Sequence, residues 1–191
     1  MSQVEWPLAT ARSAGEMQAL PPAFANAALA YLSVGKPQHA GSLLAELERT
    51  PDVRQELYYA AHLPDMVRTA LACGDAALGA RLVEGVEPRT PLREHALRAG
   101  RATLAEAGGE LEQAASLYAE AAERWQAFGN VPERGHALLG RSRCLLALGR
   151  APDAASPLRQ AQEIFAGLRA KPALMEAEAL PIRATSDTPT S

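Results

Sequence analysis

The clearest alternation of apolar and polar positions runs from Leu111 to Phe128. Leu111, Ala114, Tyr118, Ala121, Trp125 and Phe128 follow one another at steps of 3, 4, 3, 4 and 3, which lays an apolar stripe along one face of a helix. Glu110, Glu112, Glu120, Glu123 and Arg124 fall off the stripe and read as a solvated face. Forty residues further on the stripe returns as Ala151, Ala154, Leu158, Ala161, Phe165 and Leu168. Gly100-Arg101 matches Gly140-Arg141 at the same offset, and Gly109 matches Gly149. Residues 92–168 therefore read as one helical hairpin written twice.

Glycines place the remaining turns. Gly35, Gly74, Gly109 and Gly149 stand 39, 35 and 40 residues apart, each following an apolar run and preceding another. The pattern predicts hairpins over 21–34 with 38–49, 53–73 with 76–86, 91–107 with 110–128, and 132–148 with 152–168. Proline at Pro21-Pro22, Pro91 and Pro132 suits a first helical turn. Pro64 and Pro157 fall inside helices, where the missing N–H predicts a kink or split near His62–Asp65 and a loose or bent start to the last long helix. Gly129 followed by Asn130 and Glu133 marks a sharp stop and a capped restart. A final helix over 172–179, reaching as far as 184, carries Leu174 and Leu180 and covers the end of the stack. Residues 1–20 read as an arm pinned by Trp6, residues 21–184 as the helical repeat domain, and the polar residues 185–191 as a disordered tail.

Composition sharpens the class. The chain of 191 residues holds 41 alanines and 26 leucines against seven valines and two isoleucines, so it has strong helix formers and little from which to build a sheet. An all-α fold follows. A net charge of −3 argues against a protein that wraps nucleic acid. The two cysteines, Cys73 and Cys144, have no ligand spacing and read as reduced thiols of a cytoplasmic protein. Residues 17–35 lack charge, yet Gln18, Pro21, Pro22, Asn26 and Ser33 interrupt them, so a buried alanine-rich helix is a better reading than a membrane span. No secretory signal is legible at the start.

Within the hairpins, small and large positions keep a register. Five residues after each turn glycine stands Ala40, Gly79, Ala114 or Ala154; nine after stands Leu44, Val83, Tyr118 or Leu158; twelve after stands Leu47, Val86, Ala121 or Ala161. This resembles the tetratricopeptide repeat, although the units exceed its usual length of roughly 34 residues. The stretch WQAFGNVPERGHALLGRSRCLLALGRAPDAASPLRQAQEIFAGL is similar to the C-terminal helical arrays of bacterial LuxR-family ATP-binding transcription regulators and multidomain adenylate cyclases. The resemblance covers residues 91–179 well and 21–86 weakly. It implies a right-handed superhelical stack of about four antiparallel helix hairpins with a C-terminal capping helix.

Catalytic chemistry has no footing in the sequence. GxxxxGK, GxGxxG, HExxH and GxSxG are all missing, and His39, His62, His95 and His136 are isolated from one another. No enzyme, cofactor or metal is expected. Trp125 and Phe165 occupy equivalent repeat positions and are expected in the core rather than in a ligand cage. Counted by the tetratricopeptide register, the inner groove carries Arg68, Leu71, Ala99, Thr103, Glu106, His136, Leu139, Arg143 and Leu146. That mixture suits a peptide with an acidic group and an apolar side chain. The expected function is a non-catalytic protein- or peptide-binding scaffold; the alternative is the ligand-sensing array of a transcription regulator or cyclase, separated from its effector domain. Direct nucleic-acid binding is disfavoured by charge, and self-association through the alanine-rich first hairpin is open.

Overall fold

The computed structural model describes residues 8–11 and 17–181, and among them every regular element is helical. Nine α-helices follow in order among the described residues: α1 (Leu20–Ser33), α2 (Pro37–Glu48), α3 (Leu57–Ala72), α4 (Ala76–Val83), α5 (Pro91–Ala107), α6 (Leu111–Phe128), α7 (Val131–Ala147), α8 (Ala151–Gly167) and α9 (Lys171–Glu178). The chain is all-α, as its alanine and leucine content requires. It divides into two compact units, Met1–Gly109 and Glu110–Ser191. Of the expected arm, residues 8–11 form a helical turn with Leu8 and Ala11 buried, and a short 3₁₀ turn, Met17–Ala19, leads into α1. Trp6, the expected extension past 181 and the tail 185–191 lie outside the described residues.

In the first unit α3 is the centre, packed against α1, α2, α4 and α5. Tyr59, Ala60, Leu63, Met66, Val67 and Ala70 are buried around it. This explains why the helix runs unbroken through Pro64, where the sequence allowed a split: burial on several sides holds the backbone despite the lost hydrogen bond. The helix starts at Leu57, and residues expected in its first turn form a separate 3₁₀ turn, Val53–Gln55.

That turn supplies a clamp. Arg54 donates through Nη1 to the Glu48 carbonyl at 3.0 Å, and through Nη2 to Glu48 Oε1 at 2.7 Å and the Arg81 carbonyl at 3.0 Å. The Tyr59 hydroxyl donates to the Leu82 carbonyl at 2.9 Å, and burial pushes the phenol far above its ordinary range, so it stays a donor. Two carbonyls near the end of α4 are thus satisfied by side chains, which accounts for a helix stopping at Val83 where the pattern reached Val86.

The second unit contains both copies of the stripe, on α6 and α8, with α7 packed along each of them. Burial repeats with the sequence. Leu111 and Ala151 are half-buried, and Ala114, Tyr118, Ala121 and Trp125 are buried like Ala154, Leu158, Ala161 and Phe165. Phe128 and Leu168 close the stripe at 47% and 44% exposure, outside the core. Trp125 and Phe165, each 1% exposed, are core residues as expected.

Between α6 and α7 the restart is built as the sequence implied. Gly129 adopts φ +85°, the left-handed conformation that ends a helix with little cost for glycine. Asn130 Oδ1 then accepts from the Glu133 amide at 3.2 Å, capping α7. Pro157 leaves α8 unbroken, and α9 packs on α8, with Ala177 fully buried and Leu174 and Leu180 partly buried.

The small-large register has a physical basis in both units. A Cβ at Gly100 would lie 3.2 Å from Val83 Cγ2, and one at Gly140 would lie 2.4–2.6 Å from the Tyr118 ring. Val83 and Tyr118 each stand nine residues after their turn glycine. A large residue of one hairpin thus lies over a glycine of the next hairpin's first helix, once in each unit.

Candidate functional site

The nine groove positions divide between the units, five on α3 and α5 and four on α7. In the first unit Arg68 and Leu71 project from α3, and Ala99, Thr103 and Glu106 from the adjoining α5. Ala99 and Thr103 are buried, at 5% and 8% exposure, and the Thr103 hydroxyl donates to the Ala99 carbonyl at 3.0 Å. These two have little surface to offer a partner, because the close approach of α3 and α5 covers small residues that a count of helix faces leaves open. Arg68, Leu71 and Glu106 keep partial exposure. Leu71 leans toward α4, where its Cδ2 would lie 3.8 Å from a Cβ at Gly79.

Arg68 Nη2 donates to Asp65 Oδ1 at 2.6 Å, one helical turn back. Both side chains keep some solvent contact, so the pair is of the kind worth about 0–1 kcal/mol, weak enough to exchange for an incoming carboxylate. His62 lies one turn further back, and burial lowers its pKa from the ordinary 6.5 while Asp65 acts weakly in the opposite direction. The neutral ring is therefore favoured in the fold. The unfolded chain binds the proton more readily, so this contribution to stability is full above pH 6.5 and is lost as pH falls through the folded value. Thermal melts between pH 7.5 and 5 should show a smaller loss of Tm for His62→Gln than for wild type; equal losses would remove His62 as a source of the acid sensitivity.

In the second unit Leu139 is fully buried and has no exposed side chain, so it too contributes packing. His136, Arg143 and Leu146 keep partial exposure. The His136 ring lies 5.0 Å from that of Phe165, tilted by 57°, which fixes it against α8. Arg143 Nη1 donates to Glu176 Oε1 at 2.6 Å, bridging α7 and α9. Glu176 is the residue of this site that the sequence did not single out. Its 33-residue separation from Arg143 carries no periodic signal, and only the fold brings the two together.

The arrangement offers hydrogen bonding and charge. Among the described residues no group of three His, Cys, Asp or Glu side chains is placed to hold a metal ion, and no helix is long and apolar enough to cross a membrane. Both cysteines are free thiols; Cys144 is buried, and burial raises the pKa of Cys73 despite a hydrogen bond from the Gly41 backbone that lowers it. What the site residues can do is pair an arginine with a carboxylate beside half-buried apolar side chains, once in each unit. Compared with known proteins, the chain matches no family model, and no curated protein matches it at a significant level.

Proposed function

We propose that the chain is a non-catalytic interaction module that takes up acidic, partly apolar peptide segments against its inner helices, with Arg68 and Arg143 as the anchoring charges of the two units. The observation that carries this reading is the contact between Arg143 and Glu176. The inner helix α7 already holds a carboxylate presented by a short helix whose neighbouring residue, Ala177, is wholly buried. Arginine suits the role because its fork of donors pairs with a carboxylate at little cost in desolvation. The interlock of Val83 with Gly100 and of Tyr118 with Gly140 supports reading the scaffold as tetratricopeptide-like. In such arrays cohesion rests on small and large interface residues, which leaves the groove free to vary.

Affinity capture from native extract tests the proposal, with wild type beside Arg68→Gln/Arg143→Gln. The variant should lose most of any partner that wild type retains, since removing two charge-assisted contacts of roughly 1.5–3 kcal/mol each lowers affinity by more than tenfold. A partner retained equally by both proteins removes the arginines as anchors and overturns the reading.

A further inference from the structure

We infer that α9 is a displaceable latch, in which Glu176 occupies the Arg143 position from within the chain and an acidic segment must compete with it to bind. The inference rests on the peptide-binding reading above and adds its regulation.

Three observations on α9 support it. The helix is short, Lys171–Glu178, and its first turn has no side-chain cap. A helix of this length has little stability of its own and persists only through what it touches. Among the described residues Ala177 is its one fully buried residue, with Ala173 and Leu174 partly buried; Gln162 Nε2 donates to the Ala177 carbonyl at 3.2 Å, and Glu176 pairs with Arg143. Met175 beside them is 69% exposed.

The approach to α9 also favours release. Arg169 takes φ +55° in the turn that closes α8, where its amide donates to the Ala166 carbonyl and that of Ala170 to the Phe165 carbonyl, so the end of α8 is satisfied without α9. The bridge itself is partly hydrated, with side-chain exposures of 31% for Arg143 and 53% for Glu176. Segments held by few buried contacts are those that open locally without global unfolding. Glu176 therefore keeps Arg143 engaged in the absence of a ligand and gives way to a ligand bearing the same chemical group. The apparent affinity for an acidic peptide is reduced by the fraction of molecules in which the latch is closed.

The test uses the full chain and a fluorescein-labelled peptide of alternating glutamate and leucine, six residues long, followed by anisotropy, together with hydrogen exchange of the 171–178 amides. Glu176→Gln removes the carboxylate that α9 places on Arg143. It should bind the peptide roughly five times more tightly than wild type, the weight of one partly exposed ion pair, and its α9 amides should exchange faster by a similar factor. Adding Arg143→Gln to that variant should abolish the gain. The charge swap Arg143→Glu/Glu176→Arg should restore slow exchange in α9 while weakening binding of the peptide, which separates loss of the latch from loss of folding. Equal binding by wild type and Glu176→Gln, with both dependent on Arg143, leaves the peptide-binding reading standing and overturns the latch. No binding by any variant overturns the peptide-binding reading itself, and the competition with it.

Discussion

Trp125→Ala is expected to cost about 3–5 kcal/mol, enough to remove a large part of the stability of a domain this size. The indole is 1% exposed on α6, in the buried run shared with Tyr118 and Ala121, and its ring meets Phe128 edge-on at 5.9 Å. Truncation removes the apolar surface of the largest fully buried side chain and leaves a cavity that the flanking alanines cannot fill. The measurement is the urea midpoint by circular dichroism. Phe128→Ala is the control, since its side chain lies on the same sequence stripe but is 47% exposed, and it should cost less than about 1 kcal/mol. An unchanged midpoint for Trp125→Ala would mean that the stripe does not hold the second unit together.

The contrast between Trp125 and Phe128 marks what the sequence could and could not convey. Periodicity assigns both to one helical face, and it is right about the face. It cannot tell where along the face the neighbouring helix stops, which depends on packing between α6 and α7. The turns were legible because glycine serves where backbone geometry excludes other residues: Gly35, Gly74, Gly109 and Gly149 all adopt positive φ. The Asn130 cap was legible for a similar reason, since its partner lies three residues away in the chain.

Features set by distant contacts were not legible. The continuity of α3 through Pro64 depends on burial against other helices, and the early end of α4 depends on Arg54 and Tyr59, 27 and 23 residues from the carbonyls they satisfy. The groove shows the same limit. Counting from the turns placed Arg68 and Arg143, which are partly exposed, in the expected groove, but it also placed there Ala99, Thr103 and Leu139, which are buried. Small or apolar side chains on an inner face are as readily used for packing as for recognition, whereas an arginine there keeps its charge near water. Arg68, Glu106 and Arg143 keep surface to offer, as do Leu71, His136 and Leu146, and the acidic partner of Arg143, Glu176, comes from a helix that the sequence treated as a cap.

Gly140→Ala should be the most damaging change of a single methyl group in the second unit. In an ordinary helix interior this substitution is favourable by roughly 0.5–1 kcal/mol, because alanine restricts the unfolded chain and glycine does not. Here the added Cβ would lie 2.4–2.6 Å from three atoms of the Tyr118 ring, well inside contact distance. Tyr118 is 4% exposed, so the ring has little room to withdraw without moving α6 against α7. Overpacking of that kind costs typically about 1–3 kcal/mol and outweighs the gain in propensity. Gly167, at the end of α8, provides the opposite case, since a Cβ there meets nothing within 4 Å and its φ is not in the positive range. Gly167→Ala should therefore raise Tm while Gly140→Ala lowers it, and Gly140→Ala combined with Tyr118→Ala should be less damaging than the sum of the two single changes. A Gly140→Ala protein that melts at or above the wild-type temperature would show that Tyr118 yields freely, and the interlock would then not be what holds α7 to α6.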